Sequence, residues 1–277
     1  MGLIEFTAAV LITSAFAGLL GSLTGLGGGV VIVPVLVLLF HIDLRYAIGA
    51  SLISVIATSS GAAVSYVREG FSNVRIGMFL EVATTVGALV GSYLTTRIAT
   101  PAIGIIFGVT LLYSAWSSFR VKEDGAELAP NALAEKLKLT GDYPTDHGPQ
   151  AYIARNVPAG FSIMFVAGVL SGLLGIGSGA VKVLAMDRAM KLPFKVSTTT
   201  SNFMIGVTAA ASAGLYVGRG YVAPGLAAPV MLGVLAGSVM GARLLVKIRV
   251  PLLRIVFAVV IVALGVEMIY SGATGRL

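Results

Sequence analysis

The residues of this chain that could do chemistry lie inside apolar surroundings. Gly25, Gly27, Gly28 and Gly29 fall in the sequence GLGGG, and Gly175, Gly177, Ser178 and Gly179 in GIGSG. Each Gly in a helix interior costs about 1 kcal/mol relative to Ala, so such clusters predict breaks in helices. Unwound backbone at membrane depth is tolerated where it is buried in protein or lines a watery cavity, and it leaves N–H groups and a helix N-terminus free to hold an anion. Close helix packing is the other use of such glycines, and it is the plainer reading of Gly87-x-x-x-Gly91 and Gly237-x-x-x-Gly241.

Two charges stand out against this background. Lys182 follows Gly179 by three residues, deep in an apolar stretch. An ionisable group in a membrane is expensive and faces a cavity or a partner, which makes Lys182 a candidate to bind an anionic substrate. Snorkelling, or pairing with Asp187, is the structural alternative. Glu81 is the carboxylate placed well inside its stretch, and a buried carboxylate that loads and releases a proton suits proton coupling. A hydrogen bond to Thr84, Thr85 or a neighbouring helix would instead make it a packing element. The run Ser197-Thr198-Thr199-Thr200-Ser201-Asn202 follows Pro193 and Lys195. Ser197 is a plausible N-cap, but six polar side chains exceed what capping needs, so Thr199, Thr200, Ser201 and Asn202 are candidates to line a polar cavity. Gly49-Ala50-Ser51 stands in the same register 150 positions earlier, with Arg45 opposite Lys195, so Ser51 is a candidate anion ligand too, and the Gly breaks and segment starts of both repeats are expected to converge on one anion site.

The elements that must carry these residues come in two sets. Ala17–Trp116 laid on Ala167–Val266 without a gap gives 23 identities in 100 positions, against about a tenth by chance in so biased a composition. Ser51 pairs with Ser201, Tyr66 and Val67 with Tyr216 and Val217, and Pro101 with Pro251. Lys182 pairs with Ile32, and Glu81 with Met231, so neither charge repeats. Apolar stretches run at 3–40, 46–67, 74–97, 100–119, 158–186, 196–217, 222–246 and 251–271. The chain is therefore an all-α polytopic membrane protein of two repeats, each of about four hydrophobic segments with a Gly-broken first one. The expected division is 1–120, a polar linker 121–157, and 158–277. Asn131–Leu139 could form a short surface helix in a linker that otherwise reads as a tether.

Topology stays open at this level. Four crossings per repeat make the halves parallel, and an odd number makes them inverted. With eight simple crossings, Arg45, Arg97, Arg188, Lys191, Lys195, Lys247 and Arg249 share one face, which the positive-inside rule makes cytoplasmic with both termini outside. The start of the chain resembles a signal peptide only at Ala15-Phe16-Ala17. No Lys or Arg precedes it, and Ala17-Gly18 matches Ala167-Gly168, so the segment reads as retained.

Composition narrows the function. With 57% hydrophobic and 11% charged residues and a mean hydropathy of +0.96, the chain belongs in a bilayer. Its net charge of +7 reads as loop Lys and Arg, not as a nucleic-acid footprint. There is no cysteine, and His41 and His147 are isolated, so neither a metal site nor any other cofactor is expected. No HExxH, GxSxG or phosphate-binding loop is present, which argues against an enzyme and against an ATP-driven pump.

The residues from Gly18 to Pro34, the stretch Ala47-Ile48-Gly49-Ala50-Ser51-Leu52, and GIGSG followed by Lys195-Val196-Ser197-Thr198-Thr199-Thr200 together resemble the sulfite exporter TauE/SafE family of small bacterial anion permeases. The chain departs from that pattern at Ala50, where Thr commonly precedes the Ser, and at Ser178 and Lys182 with no Pro at Leu184. The resemblance implies a multi-pass protein of the bacterial inner membrane. It would move sulfite, an organosulfonate or another sulfur oxyanion, driven by the proton gradient. A passive anion channel or a carrier for small carboxylates is the alternative. The expected partners are the small anion and the lipid bilayer, with a homodimer left open.

Overall fold

The computed structural model describes residues 2–24, 28–68, 72–118, 132–145, 148–245 and 250–277. Before the linker come α1 (Leu3–Thr24), α2 (Gly29–Leu38), α3 (Leu44–Arg68), α4 (Val74–Leu94) and α5 (Thr100–Ser118). The linker holds α6 (Ala132–Lys136) and the strands β1 (Thr140–Thr145) and β2 (Gly148–Ile153). After it come α7 (Val157–Leu174), α8 (Gly179–Leu184) running into a π turn at Ala185–Ala189, then α9 (Phe194–Gly218), α10 (Pro224–Leu245) and α11 (Val250–Ala273). Both ends of α9 lie 150 residues beyond those of α3.

Three of the described helices contain segments long and apolar enough to cross a membrane by length and composition: Ile4–Gly21, Val74–Leu94 and Val157–Leu174. The ten-residue α2 spans about 15 Å, half of a hydrocarbon core of about 30 Å. Seen from outside, α4, α5 and α11 present Val82, Val86, Val109, Val259 and Val266, with Tyr93, Trp116 and Tyr270 near their ends. Such an apolar belt edged by Tyr and Trp suits a bilayer and its interfaces.

The helices of one half pack chiefly on those of the other: α1 on α10, α4 on α7, α3 on α9 and α5 on α11. Glycine makes the first two seams. A Cβ on Gly168 or Gly172 would strike the carbonyls of Thr84 or Ala88, and one on Gly87 or Gly91 those of Phe165 or Val169. At Gly237 it would strike the Ala15 carbonyl, and at Gly18 that of Val234. The side chain at position 241 is outside the described residues.

These contacts also fix directions. Residue numbers rise together along α4 and α7, so that pair is parallel, as are α1 and α10. In the α5–α11 pair they oppose, with Gly108 at Gly265 and Gly272 at Pro101. The α3–α9 pair also opposes, with Gly49 beside Tyr221 and Ser59 beside Gly206. Because α4 runs with α9, which α10 reverses, α1 and α7 point in opposite directions.

Each of α1 and α7 turns back on itself, so α2 and α8 form the return arms of hairpins. Gly28 lies against both Gly18 and Val234, and Val234 is near the middle of α10. This corrects the reading of eight simple crossings, since a return arm of α2's length cannot complete one. It also redistributes the charges. Arg45 sits over Tyr221, and Arg97 and Arg219 over Tyr93, so these three share the face of the described termini. On the other face, Arg155 N–H donates to Met190 O at 2.8 Å, which brings Arg188, Lys191 and Lys195 to the linker side.

The described part of the linker, from Ala132 on, is docked, which corrects its reading as a tether. Leu139, Tyr152 and Ala154 join Leu80, Met164, Met186, Met190 and Met204 in one buried cluster. Asn73 caps α4 through a 3.0 Å bond from Ile76 N–H and donates from Nδ2 to Tyr152 OH at 2.8 Å. The linker helix is shorter than expected, ending at Lys136.

Candidate functional site

The break in the second half is a backbone feature before it is a chemical one. Gly175 closes α7 with φ +69° and Gly177 follows with φ +70°, left-handed values that glycine adopts at little cost. Ser178 takes φ +49° as the residue before α8. Restarting a helix at Gly179 leaves its first-turn N–H groups without intrahelical acceptors. Ser178 is 3% exposed, and its hydroxyl has no hydrogen-bond partner among the described residues.

The first half meets this break directly. A Cβ on Gly29 would lie 2.8 Å from Ser51 Oγ and 3.0 Å from the Gly175 carbonyl. Ser51 donates to that carbonyl at 2.8 Å, and Ser201 donates to the Gly179 carbonyl at 3.3 Å. The starts of both return arms thus converge, with Ser51 between them. Gly25 and Gly27 lie outside the described residues.

Beside this junction lies a buried polar chain that crosses the two halves. Lys182, fully buried, donates from Nζ to Thr208 Oγ1 at 2.6 Å. Thr208 Oγ1 lies 2.6 Å from Glu81 Oε1 and 2.9 Å from the Met204 carbonyl. Its single proton serves one of these acceptors at a time. Thr85 donates to the same Glu81 oxygen at 3.1 Å, while Glu81 Oε2 is buried without a partner. Lys182 thus reaches Glu81 through Thr208. Glu81 does bond Thr85, as the packing alternative required, but that bond leaves half of the carboxylate unused.

The hydroxyl run divides. Ser197 is not the N-cap, because α9 starts at Phe194 after Pro193. Thr199 returns its proton to the Lys195 carbonyl at 2.9 Å, and Thr200 accepts from Asn73 N–H at 3.1 Å. The Asn202 carbonyl accepts from Ser59. Ser51 and Ser201 likewise spend their single protons on main-chain carbonyls in this conformation, so they brace the break instead of offering donors to an anion. Gly29, Gly175, Gly177, Ser178, Gly179 and Lys182 cluster near the junction, with Gly28 at its edge. Thr208 was missed in the sequence, although it is one of the identities between the repeats, matching Thr58.

The corresponding positions in the first half are Ile32, Thr58 and Met231. Ile32 is fully buried, and Thr58 Oγ1 turns to carbonyls of its own helix, Ser54 at 3.1 Å and Val55 at 3.2 Å. The polar chain therefore exists on one side only.

Comparison with known proteins places the chain among membrane transporters. The family model described as sulfite exporter TauE/SafE matches residues 10–268. A probable membrane transporter protein of Bacillus subtilis, YunE, is 26% identical over 271 residues, covering 95% of this chain and 97% of its own. A second from the same organism, YdhB, is 27% identical over 84% of this chain and 88% of its own. One from Methanocaldococcus jannaschii, MJ0441, is 26% identical over 94% of each. No solved structure matches the chain.

Proposed function

Because the chain belongs to the sulfite exporter TauE/SafE family of membrane transporters, we propose that it is a proton-coupled carrier of a small anion, sulfite or an organosulfonate. Membership makes it a transporter and not an enzyme; the substrate and the coupling are the proposal. The observation that carries it is the buried chain Lys182–Thr208–Glu81 beside the junction of the two return arms. An isolated ammonium in a dry interior is costly, and here its neutralising carboxylate is held one hydroxyl away. An entering oxyanion competes with Glu81 for the ammonium and takes further donors from the first turn of α8 and the Ser178 hydroxyl. A proton on Glu81 removes the competing charge, so anion and proton load together.

The fold supports alternating access. The two halves are read as inverted repeats, because equivalent helices α5 and α11, and α3 and α9, run antiparallel about a central axis. This reading gives each half three crossings and one hairpin, a multi-pass arrangement. Among the residues whose side chains are described, basic residues favour the linker face, with Arg75, Lys136, Lys138, Arg155, Arg188, Lys191 and Lys195 against Arg45, Arg97, Arg219 and Arg276. The positive-inside rule then places the linker in the cytoplasm and the termini outside a bacterial cell membrane.

Purified protein in proteoliposomes tests this reading. Sulfite should accumulate against its gradient when a pH gradient is imposed, which a passive channel cannot do. Glu81→Gln should keep sulfite exchange and lose gradient-driven accumulation. Wild-type accumulation by that variant would move the coupling elsewhere.

A further inference from the structure

A second group of cations lies on the face of the termini, away from Lys182. Arg45 stands in the first turn of α3, and its guanidinium carbon is 5.8 Å from the centre of the Tyr221 ring. Tyr221 packs edge-on against Tyr46 at 5.7 Å and Tyr216 at 6.2 Å. From the turn between α9 and α10, Arg219 donates to the Ser92 carbonyl at 2.6 Å and lies over Tyr93 at 5.9 Å. Arg45 thus lies over the ring of Tyr221, two residues after Arg219, and Tyr221 packs on Tyr216. Like charges brought to one aromatic cluster repel each other unless something negative stands between them. Among the described residues no carboxylate pairs with either side chain; Asp43, the nearest in sequence, accepts the Arg45 main-chain N–H at 2.9 Å. The Arg45 Nε is buried and has no hydrogen-bond partner among the described residues.

The same cluster touches the broken helix. Tyr216 is 1% exposed; its hydroxyl donates to the Gly172 carbonyl at 3.1 Å and meets Thr95 Oγ1 at 2.9 Å. Gly172 lies three residues before the left-handed Gly175. Arg45 precedes Ser51 on α3 by six residues, about 9 Å of helix. A ligand held by Arg45 would sit about two turns from the junction of the return arms, on the side that Lys182 does not reach.

We propose that Arg45 and Arg219, walled by Tyr46 and Tyr221, form a second oxyanion site that captures the substrate at the face of the termini before it reaches Lys182. The planar guanidinium fork suits a sulfur or phosphorus oxyanion, for which a lysine's point charge is a poorer match. This site rests on the reading of the chain as an anion carrier, but its occupation does not require transport. In the second half the register position of Arg45 is Lys195, so the fork is confined to one face.

Arginine-specific labelling of the full-length protein with phenylglyoxal, read residue by residue by mass spectrometry, tests it. At low ionic strength, sulfite, thiosulfate and sulfate are each added as protectant. At least one should reduce labelling of Arg45 and Arg219 about fivefold at a concentration four times its Kd, while Arg276, which lies over Tyr270 on the same face, is unaffected. Lys182→Met should retain this protection, so that loss of transport in that variant and loss of the outer site are told apart. Arg45→Gln should abolish protection at Arg219, and Arg45→Lys should restore it in part. Arg45 labelling that is the same with and without all three anions, including none in either case, overturns the proposal.

Discussion

The return arms α2 and α8 start at equivalent positions and meet at Ser51 and Gly175, yet their interiors differ. Every residue of α2 from Gly29 to Val37 is buried, and all are apolar. In α8 the residue matching Ile32 is Lys182, buried as completely. The difference continues outward: Thr58 bonds its own helix where Thr208 bridges Lys182 and Glu81, and Met231 stands where the other half has Glu81. Shape is thus shared and charge is not. Two like arms suffice for a rocking scaffold, whereas two buried ammonium groups would double the desolvation cost at one site. The comparison separates residues that shape the cavity from those that bind in it.

The largest effect expected of any single change follows from this division. Lys182→Met keeps the apolar stem and removes the ammonium, so sulfite flux should fall by about 100-fold or more, the worth of a charged hydrogen bond lost at a buried site. Ile32→Met, which places the same side chain at the matching position, should leave flux within about twofold, as volume-conserving swaps do. Thermal stability supplies a second reading, since Lys182→Met leaves Glu81 buried with its two hydroxyl partners and without the neutralising ammonium. The double variant Lys182→Met with Glu81→Gln should recover that stability without recovering flux. Equal flux loss in the Lys182→Met and Ile32→Met variants would erase the distinction between the arms.

A backbone change should come close behind. Gly177 holds φ +70°, and a Cβ there would lie 2.7 Å from the Ile205 side chain. Gly177→Leu therefore meets both a strained dihedral and an occupied space, costs of about 1–3 kcal/mol each. Folded protein at reduced yield, with flux abolished, is the expected result. Full flux in a well-expressed variant would mean that the break is dispensable.

Thr208 sets the middle of the scale. Thr208→Val keeps the shape and removes the only bridge between Lys182 and Glu81 seen among the described residues, so flux should fall by about tenfold, the worth of one hydrogen bond to a charged group. Its counterpart Thr58→Val loses a bond that any helix can spare, and about twofold or less is expected. Flux assays on the two variants side by side would decide whether the polar chain works as a unit.

Much of this was legible in the sequence, for reasons that also mark the limit. Hydrophobic stretches 46–67 and 196–217 fall within α3 and α9, because apolar runs must become helices in a bilayer. The pair Gly87 and Gly91 appears at the close seam that its spacing predicts. What pattern cannot show is which helix of one half lies on which helix of the other. Glu81 and Lys182 are far apart in the chain and come together only because α4 packs on α7 and α9. That Ser51 and Ser201 turn to main-chain carbonyls is hidden as well, because nothing in a sequence reveals that a broken helix leaves a carbonyl beside these two hydroxyls. Direction of crossing was equally hidden, since a short return arm and a true span look alike as apolar runs.

The smallest effect belongs to the one region with no counterpart in the comparison, the linker hairpin. Burial raises the Tyr152 hydroxyl's pKa above its ordinary range, partly offset by the bond from Asn73, with Asp142 adding to the rise. A pKa raised on folding contributes stability below the unfolded value of about 10, which is lost as pH climbs through the folded value. The hairpin's docking should therefore be insensitive to pH across the physiological range and weaken only in strong alkali. Tyr152→Phe removes the oxygen that accepts from Asn73 and leaves that amide with its longer 3.3 Å bond to the Thr140 carbonyl. About 1 kcal/mol of docking should go with it. Limited proteolysis should find the linker cut several times faster, while sulfite flux changes by about twofold at most, since Asn73 still caps α4 through its own carbonyl oxygen. A flux loss as large as that of Thr208→Val would make the hairpin part of the transport cycle, and would tie the asymmetry of the two halves to the linker as well as to the charges.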